Sequence, residues 1–218
     1  PAAADVTSAA DLSGATGQRP PQERGELDRW ILSELHRTAA RVVERMDAYD
    51  NYAACESLSA FVDGLSNWYV RRSRDRFWAS DKKSADKLDA YWTLYECLLT
   101  TARMIAPFTP FLADELWRKL AAEPLGDRAA ESVHLCDFPG GNARLMDETL
   151  SERMDLVRLI ASLGRNARTS AELKVRQPLA KVEVILADRT HQPWLAEHAG
   201  VIADELNIKQ LEFSDKPE

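Results

Sequence analysis

The chain has 218 residues, of which 45% are hydrophobic and 29% charged, and its formal net charge is −7. This composition is typical of a globular protein that can bury a core, and the acidic balance by itself argues against a nucleic-acid-binding protein. No apolar run approaches the roughly 18 residues of a membrane span, and no signal peptide is visible, so we expect no membrane partner. The three cysteines are scattered and odd in number, and a reducing, cytoplasmic location is therefore expected.

The first 24 residues are small, polar and rich in proline and glycine, which predicts a linker or arm. The chain begins at Pro1 rather than at methionine, which suggests a fragment or a processed product. From Glu26 to Leu125 there are only one glycine and three prolines, so this stretch is predicted to be almost entirely helical. We therefore predict an arm over 1–24, a helical-bundle domain over 25–146 and a further unit over 147–218.

Four amphipathic helices are predicted within the bundle, at about 26–46, 52–78, 84–106 and 110–121. Ser84 is a candidate N-cap for the third helix, and Thr109 followed by Pro110 suits the start of the fourth. Because the connections between these helices are short, the pattern favours an antiparallel bundle.

The pattern changes after residue 122. A loop with a short extended piece at Val133–Leu135 is followed by a long helix at about 147–169. The alternating runs "KVEVIL" and "IKQLEF" predict two strands, separated by a helix at about 191–206. The predicted fold class is mainly α, an antiparallel bundle followed by a small α/β unit.

Catalytic and metal-binding patterns are not evident. The three cysteines form no CxxC pair, and the four histidines are isolated, so we expect no metal site and no disulfide framework. There is no glycine-rich phosphate loop and no nucleophile elbow. "DKKSADK" at 81–87 is better interpreted as a solvated turn between helices than as a nucleotide motif. We predict that the chain has no catalytic residues and catalyses nothing alone.

The segment "NWYVRRSRDRFW" at 67–78 places four arginines among aromatic residues. Leu58, Val62, Leu65 and Tyr69 form an apolar line in steps of four and three, and the next steps reach Arg72 and Arg76. Arg72 and Arg76 are therefore predicted to face the core, whereas Arg71 and Arg74 lie on the flanks.

A core-facing guanidinium needs acceptors, because an unpaired buried charge costs several kcal/mol. The pattern favours ion pairs with carboxylates of the bundle, for which the candidates are Asp28, Glu34, Asp114 and Glu115. The alternative is that this end of the bundle opens onto a phosphate backbone, with aromatic rings available for base stacking.

A second basic stretch contains Arg165, Arg168, Lys174 and Arg176. These four residues could contact RNA phosphates, or they could form an ordinary basic helix end that complements the helix dipole. The sequence pattern leaves both interpretations open.

Five segments occur in an order that resembles the region after the catalytic core of isoleucyl-tRNA synthetases, a class I aminoacyl-tRNA synthetase family. They are "LDRWILSEL", "NWYVRRSRDRFW", "MIAPFTPFLADELW", "ESVHLCDFP" and "LKVRQPL". The resemblance covers about Leu27 to Phe213, and "NWYVRRSRDRFW" is most similar to the eukaryote-like branch.

This resemblance implies that the bundle is an anticodon-binding domain for isoleucine tRNA, followed by a junction region. The partners that it implies are this tRNA and the upstream catalytic and editing domains of the same enzyme, which ligates isoleucine to tRNA with ATP and Mg²⁺. The HIGH and KMSKS signatures of the catalytic domain do not occur in this sequence, so no cofactor is expected here. The candidate tRNA-binding residues are Arg71, Arg72, Arg74, Arg76, Trp78, Lys82, Lys83, Arg165, Arg168, Lys174 and Arg176.

Two alternatives remain at this point. The chain could be a helical protein-interaction module without an RNA partner, using its tryptophans as core or contact residues. It could also be the equivalent domain of a valyl or leucyl relative.

Overall fold

The computed structural model describes residues 17–214. The chain divides into two compact units, unit 1, which ends at Asp147, and unit 2, which begins at Glu148. Within the described residues unit 1 is largely helical, and unit 2 combines helices with a two-stranded sheet. This architecture confirms the predicted fold class.

Unit 1 is built from α-helices joined by short connections. They are α1 (Glu26–Asp47), α2 (Asn51–Gly64), α3 (Arg74–Trp78), α4 (Ala85–Ile105), α5 (Pro110–Trp117) and α6 (Glu123–Leu125). Two π-helical segments, Leu65–Val70 and Arg118–Ala122, continue α2 and α5. Helix α1 packs along α2 and α4, and α4 packs along α5, as expected of a bundle.

The core of unit 1 follows from the apolar stripes of these helices. Trp30, Leu35, Tyr69, Leu99 and Trp117 are fully buried. Burying a side chain of this size contributes roughly 1.5–3 kcal/mol, so each of these five positions stabilises the bundle.

Local caps define the helix ends. The Asp50 carboxylate accepts a hydrogen bond from the Ala53 N–H at 3.1 Å, and the Ser84 hydroxyl accepts one from the Lys87 N–H at 3.3 Å. The predicted cap at Ser84 is therefore confirmed. Thr109 does precede Pro110 at the start of α5, but its hydroxyl donates backward to the Ile105 carbonyl and does not cap the helix.

The buried line of the second helix differs from the predicted one in two places. Val62, which was predicted to face the core, is 44% exposed, and the buried line instead includes Phe61. Beyond Tyr69 that line continues to Ser73, which is fully buried, rather than to Arg72. The second change follows the π-helical segment Leu65–Val70, because a π-helix has more residues per turn than an α-helix.

One further detail of unit 1 differs from prediction. Val133–Leu135 is a single 3-10 turn rather than an extended piece, and its start is fixed by Asp114, whose carboxylate accepts from the Val133 N–H at 3.0 Å. The predicted arm lies outside the described residues up to residue 16. From residue 17 onward its residues contact the bundle.

The contact between the arm and the bundle is made by two arginines. Arg24 is buried, donates to the Thr93 hydroxyl at 2.9 Å and lies 3.6 Å from the Glu96 carboxylate. Arg19 forms a bidentate ion pair with the buried carboxylate of Asp89. Removing residues 17–24 would therefore leave buried acids of α4 without their partners.

Unit 2 contains α7 (Glu148–Ser170), β1 (Leu179–Val184), α8 (Gln192–Glu197), α9 (Ala199–Leu206) and β2 (Ile208–Phe213). The two strands are parallel, with Leu179 opposite Ile208 and Val184 opposite Phe213. The helix predicted at 191–206 is divided into α8 and α9 at His198. Helix α7 approaches α9 closely at Gly164, where a Cβ atom would lie 2.6 Å from the Leu206 side chain.

Candidate nucleic-acid interface

Arg76 is held inside unit 1 by a buried carboxylate. Its two terminal nitrogens donate to the two oxygens of Asp28, at 2.9 and 2.6 Å, and the Asp28 side chain is fully buried. The Tyr69 hydroxyl donates to the same carboxylate at 2.6 Å. Asp86 at the start of α4 lies 2.8 Å from Nε of Arg76. Arg76 therefore links α1, α3 and α4, and the predicted ion pair with a bundle carboxylate is confirmed for this residue.

The protonation states of this cluster follow from burial and from the Asp28 charge. Burial raises the pKa of Tyr69, and the negative charge of Asp28 raises it further, so the phenol keeps its proton. Burial alone would lower the pKa of Arg76, but the hydrogen bond and charge of Asp28 outweigh it and the net shift is upward. The cluster is a permanent ion pair with a neutral tyrosine as an additional donor.

The other three candidate carboxylates have different partners. Glu34 pairs with Arg37 at 2.9 Å, Asp114 accepts from Ser132 at 2.5 Å, and Glu115 pairs with Arg118 at 2.7 Å. Arg72 is half-buried beside the core line, and its pairing with a carboxylate stays a prediction.

Exposed cationic and aromatic side chains occur from just before α3 to the turn that follows it, and we call this set the basic tip: Arg71, Arg74, Trp78, Lys82 and Lys83. The four cations are exposed, and Trp78 is 79% exposed. Arg74, Lys82 and Lys83 have no side-chain hydrogen bond or ion pair to any residue within 17–214. Arg74 and Trp78 are four residues apart in α3 and so share one face. The basic tip thus offers the cations of Arg74, Lys82 and Lys83 beside an exposed indole.

The backbone that carries the basic tip is fixed on both sides. The Lys87 ammonium donates to the Ala79 carbonyl at 2.7 Å, and the rings of Phe77 and Tyr91 meet edge to face at 5.2 Å. Arg71 donates from Nε to the Asn67 carbonyl at 2.7 Å, and its guanidinium lies 5.9 Å from the centre of the Trp68 ring. Exposed side chains on an anchored backbone lose little backbone entropy when they bind a ligand.

In unit 2 the predicted basic residues fall into two classes. Arg165 pairs at 3.1 Å with the buried carboxylate of Glu205. Arg168 is only 4% exposed and donates to four backbone carbonyls, those of Lys174, Gln177, Leu206 and Asn207, at 2.6–3.1 Å. A direct phosphate contact by Arg168 is therefore not compatible with its position, and we correct its role to one within unit 2.

Lys174 and Arg176 form the second class, whose side chains are exposed rather than engaged within unit 2. Both are exposed, and within the described part of the chain neither side chain has a hydrogen bond or ion pair. They lie in the connection between α7 and β1, where the Val175 carbonyl accepts from the Asn207 side chain at 3.0 Å. Asn207 was not identified from the sequence as a structural residue. An asparagine directly after a helix is a known signal for a left-handed C-cap, and the φ of Asn207 is 48°.

Other kinds of site find little support in the described residues. No cluster of three or more His, Cys, Asp or Glu side chains within 17–214 could hold a metal ion. His191 lies 3.5 Å from Glu152, and the His198 ring stacks on Trp194 at 3.8 Å. No helix among these residues is long and apolar enough to cross a membrane. The tryptophans at 30, 68 and 117 are core residues, and Trp78 is the exposed exception in unit 1.

Residues 28–185 match the family described as "Anticodon-binding domain of tRNA ligase". The chain is 50% identical over 188 residues to an isoleucine–tRNA ligase of Dehalococcoides mccartyi, which covers 85% of this chain and 18% of the relative. It is 43% identical over 192 residues to that of Streptomyces coelicolor, covering 88% of this chain and 17% of the relative. It is 41% identical over 197 residues to that of Chlamydia trachomatis, covering 90% and 18%. The chain thus spans less than a fifth of the length of these relatives.

Proposed function

The chain belongs to the family of anticodon-binding domains of tRNA ligases, and on that premise we propose that it binds the anticodon stem-loop of isoleucine tRNA. In this proposal it supplies tRNA recognition to an isoleucine–tRNA ligase whose catalytic and editing steps occur in other domains. The similarity to isoleucine–tRNA ligases from three bacterial species supports the choice of tRNA.

The observation that carries the proposal is the basic tip. Arg74, Lys82 and Lys83, three cations that have no partner among residues 17–214, lie within a few residues of a 79% exposed indole, on a chain whose net charge is −7. Trp78 is the most exposed tryptophan of unit 1, and beside these cations its ring offers a surface on which a base can stack. Phosphates of an RNA backbone would neutralise the cations, and an unstacked loop base would cover the ring.

Each residue type then has a separate task in recognition. Arg74, Lys82 and Lys83 bind phosphates and so orient the RNA, with Arg71 as a further cation on the flank. Trp78 stacks on a base, which contributes about 1–3 kcal/mol without regard to charge. Arg76 does not touch RNA; it fixes α3 to α1 through Asp28 and so holds the tip in place.

The test is a titration of the purified chain with isoleucine tRNA and with an unrelated tRNA, each at two salt concentrations. Arg74→Ala should weaken binding and lower the salt slope by about one counterion. Trp78→Ala should weaken binding by about tenfold or more with the slope unchanged, because stacking releases no counterions. Lys119→Ala is the matched control, since this exposed cation already pairs with Glu115 at 3.1 Å.

Two outcomes would contradict the proposal. If wild type binds neither tRNA at low salt, the chain is not a tRNA-binding domain by itself, and the protein-interaction alternative gains support. If Lys119→Ala weakens binding as much as Arg74→Ala, the interaction is diffuse attraction and the basic tip is not a site. The same preparation should show no isoleucine-dependent exchange between ATP and pyrophosphate.

A further inference from the structure

We propose that residues 173–177, which we call the Lys174 loop, form a preorganised phosphate-binding element that Arg168 and Asn207 hold in shape. This inference rests on the proposed function, because the phosphates belong to the bound tRNA. It assigns direct contact to Lys174 and Arg176, and a positioning role to Arg168 and Asn207.

The first argument is the direction of the loop backbone. The carbonyls of Lys174 and Gln177 both accept from Nη1 of Arg168, at 3.1 and 3.0 Å, and the Val175 carbonyl accepts from the Asn207 amide at 3.0 Å. A further hydrogen bond, from the Gln177 N–H to the Lys174 carbonyl at 3.0 Å, closes the turn. Three carbonyls are thus turned inward, while the side chains of Lys174, Val175 and Arg176 are exposed.

The second argument is the way the loop is joined to the sheet. Asn207 lies between α9 and β2. Its carbonyl accepts both from Nη2 of Arg168 and from the Leu179 N–H, each at 3.1 Å. Asn207 and Glu172 both adopt left-handed backbone conformations, with φ of 48° and 56°. Because Glu172 and Asn207 both hold defined backbone torsions, the path of the loop between α7 and β1 is fixed where it begins and where it meets Asn207.

The third argument is electrostatic. Arg168 is 4% exposed, and no carboxylate within residues 17–214 forms an ion pair with it, since all its partners are carbonyls. Two of these carbonyls, from Leu206 and Asn207, are at the C-terminal end of α9, where the helix dipole is negative. The hydrogen bonds are satisfied, but the formal charge is not cancelled. A positive charge therefore lies beneath the loop and adds to those of Lys174 and Arg176.

The decisive variant is Asn207→Gly. Glycine adopts the left-handed conformation without strain, so this change removes the hydrogen bond to Val175 while the backbone stays compatible with φ of 48°. All charges remain. We expect affinity for isoleucine tRNA to fall by about 3–5-fold with the salt slope unchanged, because the cations are present but no longer held in place.

Lys174 and Arg176, the two proposed contact residues, are tested in parallel with the Asn207→Gly variant. Lys174→Ala and Arg176→Ala should each weaken binding by about 3–10-fold and lower the salt slope by about one. When Asn207→Gly is added to the double variant Lys174→Ala, Arg176→Ala, the affinity for isoleucine tRNA should fall little further. The loop then carries no cations for Asn207 to position. Lys209→Ala, an exposed lysine on β2, is the matched charge control and should change affinity by less than about twofold.

Amide hydrogen exchange gives an independent reading of the loop. In Asn207→Gly, exchange at Val175–Gln177 should accelerate, and exchange in α7 should stay as in wild type. If the loop loosens but tRNA affinity does not change, the positioning role is wrong. If Lys174→Ala and Arg176→Ala bind like wild type while Arg74→Ala binds weakly, the loop is not a contact and the proposed function stands without it. If wild type binds no tRNA, both proposals fail together.

Discussion

Arg76 in unit 1 and Arg168 in unit 2 are both held by acceptors inside the protein, and their charges are compensated differently. In unit 1, Arg76, whose side chain is 16% exposed, meets the fully buried carboxylate of Asp28. In unit 2, Arg168 meets four backbone carbonyls, which satisfy its hydrogen bonds without cancelling its charge. The first arrangement stabilises a helix junction, and the Arg76 charge is cancelled there by carboxylates. The second fixes a loop and leaves a positive charge below exposed cations, which suits a surface that binds anions.

The largest effect should come from breaking the neutral pair. Arg76→Ala leaves Asp28 fully buried without a cation, so we expect a loss of about 3–5 kcal/mol of unfolding free energy. Arg74→Ala, two residues earlier and exposed, should change stability by less than about 0.5 kcal/mol. Denaturant unfolding followed by circular dichroism compares the two variants. Equal stabilities would mean that the Arg76–Asp28 pair does not support the bundle.

A smaller effect is expected from the carbonyl-bound arginine. Arg168→Met keeps an unbranched apolar stem but removes all four hydrogen bonds, and we expect a loss of about 2 kcal/mol, because carbonyls tolerate water better than a buried carboxylate does. Arg176→Ala serves as the exposed control. Hydrogen exchange resolved over residues 148–214 isolates unit 2. A loss as large as that of Arg76→Ala would show that the two modes of compensation are energetically equivalent.

The smallest expected effect is on the pH dependence of the unfolding free energy of unit 1. It determines the pH at which the Arg76 and Arg168 variants should be compared. Burial lowers the pKa of His36 from its ordinary value of 6.5. Between 6.5 and the lowered pKa the unfolded chain binds more protons than the folded one, so stability should decline as pH falls through this range. His36→Gln should remove that part of the pH dependence of unfolding in unit 1. An unchanged pH profile in this variant would assign the acid sensitivity to other groups.

Sequence periodicity predicted the larger elements because they depend on local rules. The scarcity of glycine and proline from Glu26 to Leu125 predicted the helical bundle, and the alternation in "IKQLEF" predicted β2 at Ile208–Phe213. The division of the arginines at 71–76 into core-facing and exposed residues was predicted in part. Arg76 and its partner Asp28 were identified, whereas Arg72 was placed on the core line that in fact runs through Ser73.

The sequence by itself therefore determined which segments are helical, where the helical pattern gives way to a mixed pattern of helices and strands, and which residue types are suited to contact RNA. The tertiary structure decided which cations are available. Arg74 and Arg76 differ by two positions, and Arg168 and Arg176 belong to the same basic stretch, yet one member of each pair is engaged inside the protein and the other is exposed. The reason is physical: helix formation depends on neighbours along the chain, but the fate of a guanidinium depends on whether a distant acceptor, such as Asp28 or the carbonyl of Asn207, is brought within 3 Å or so of it.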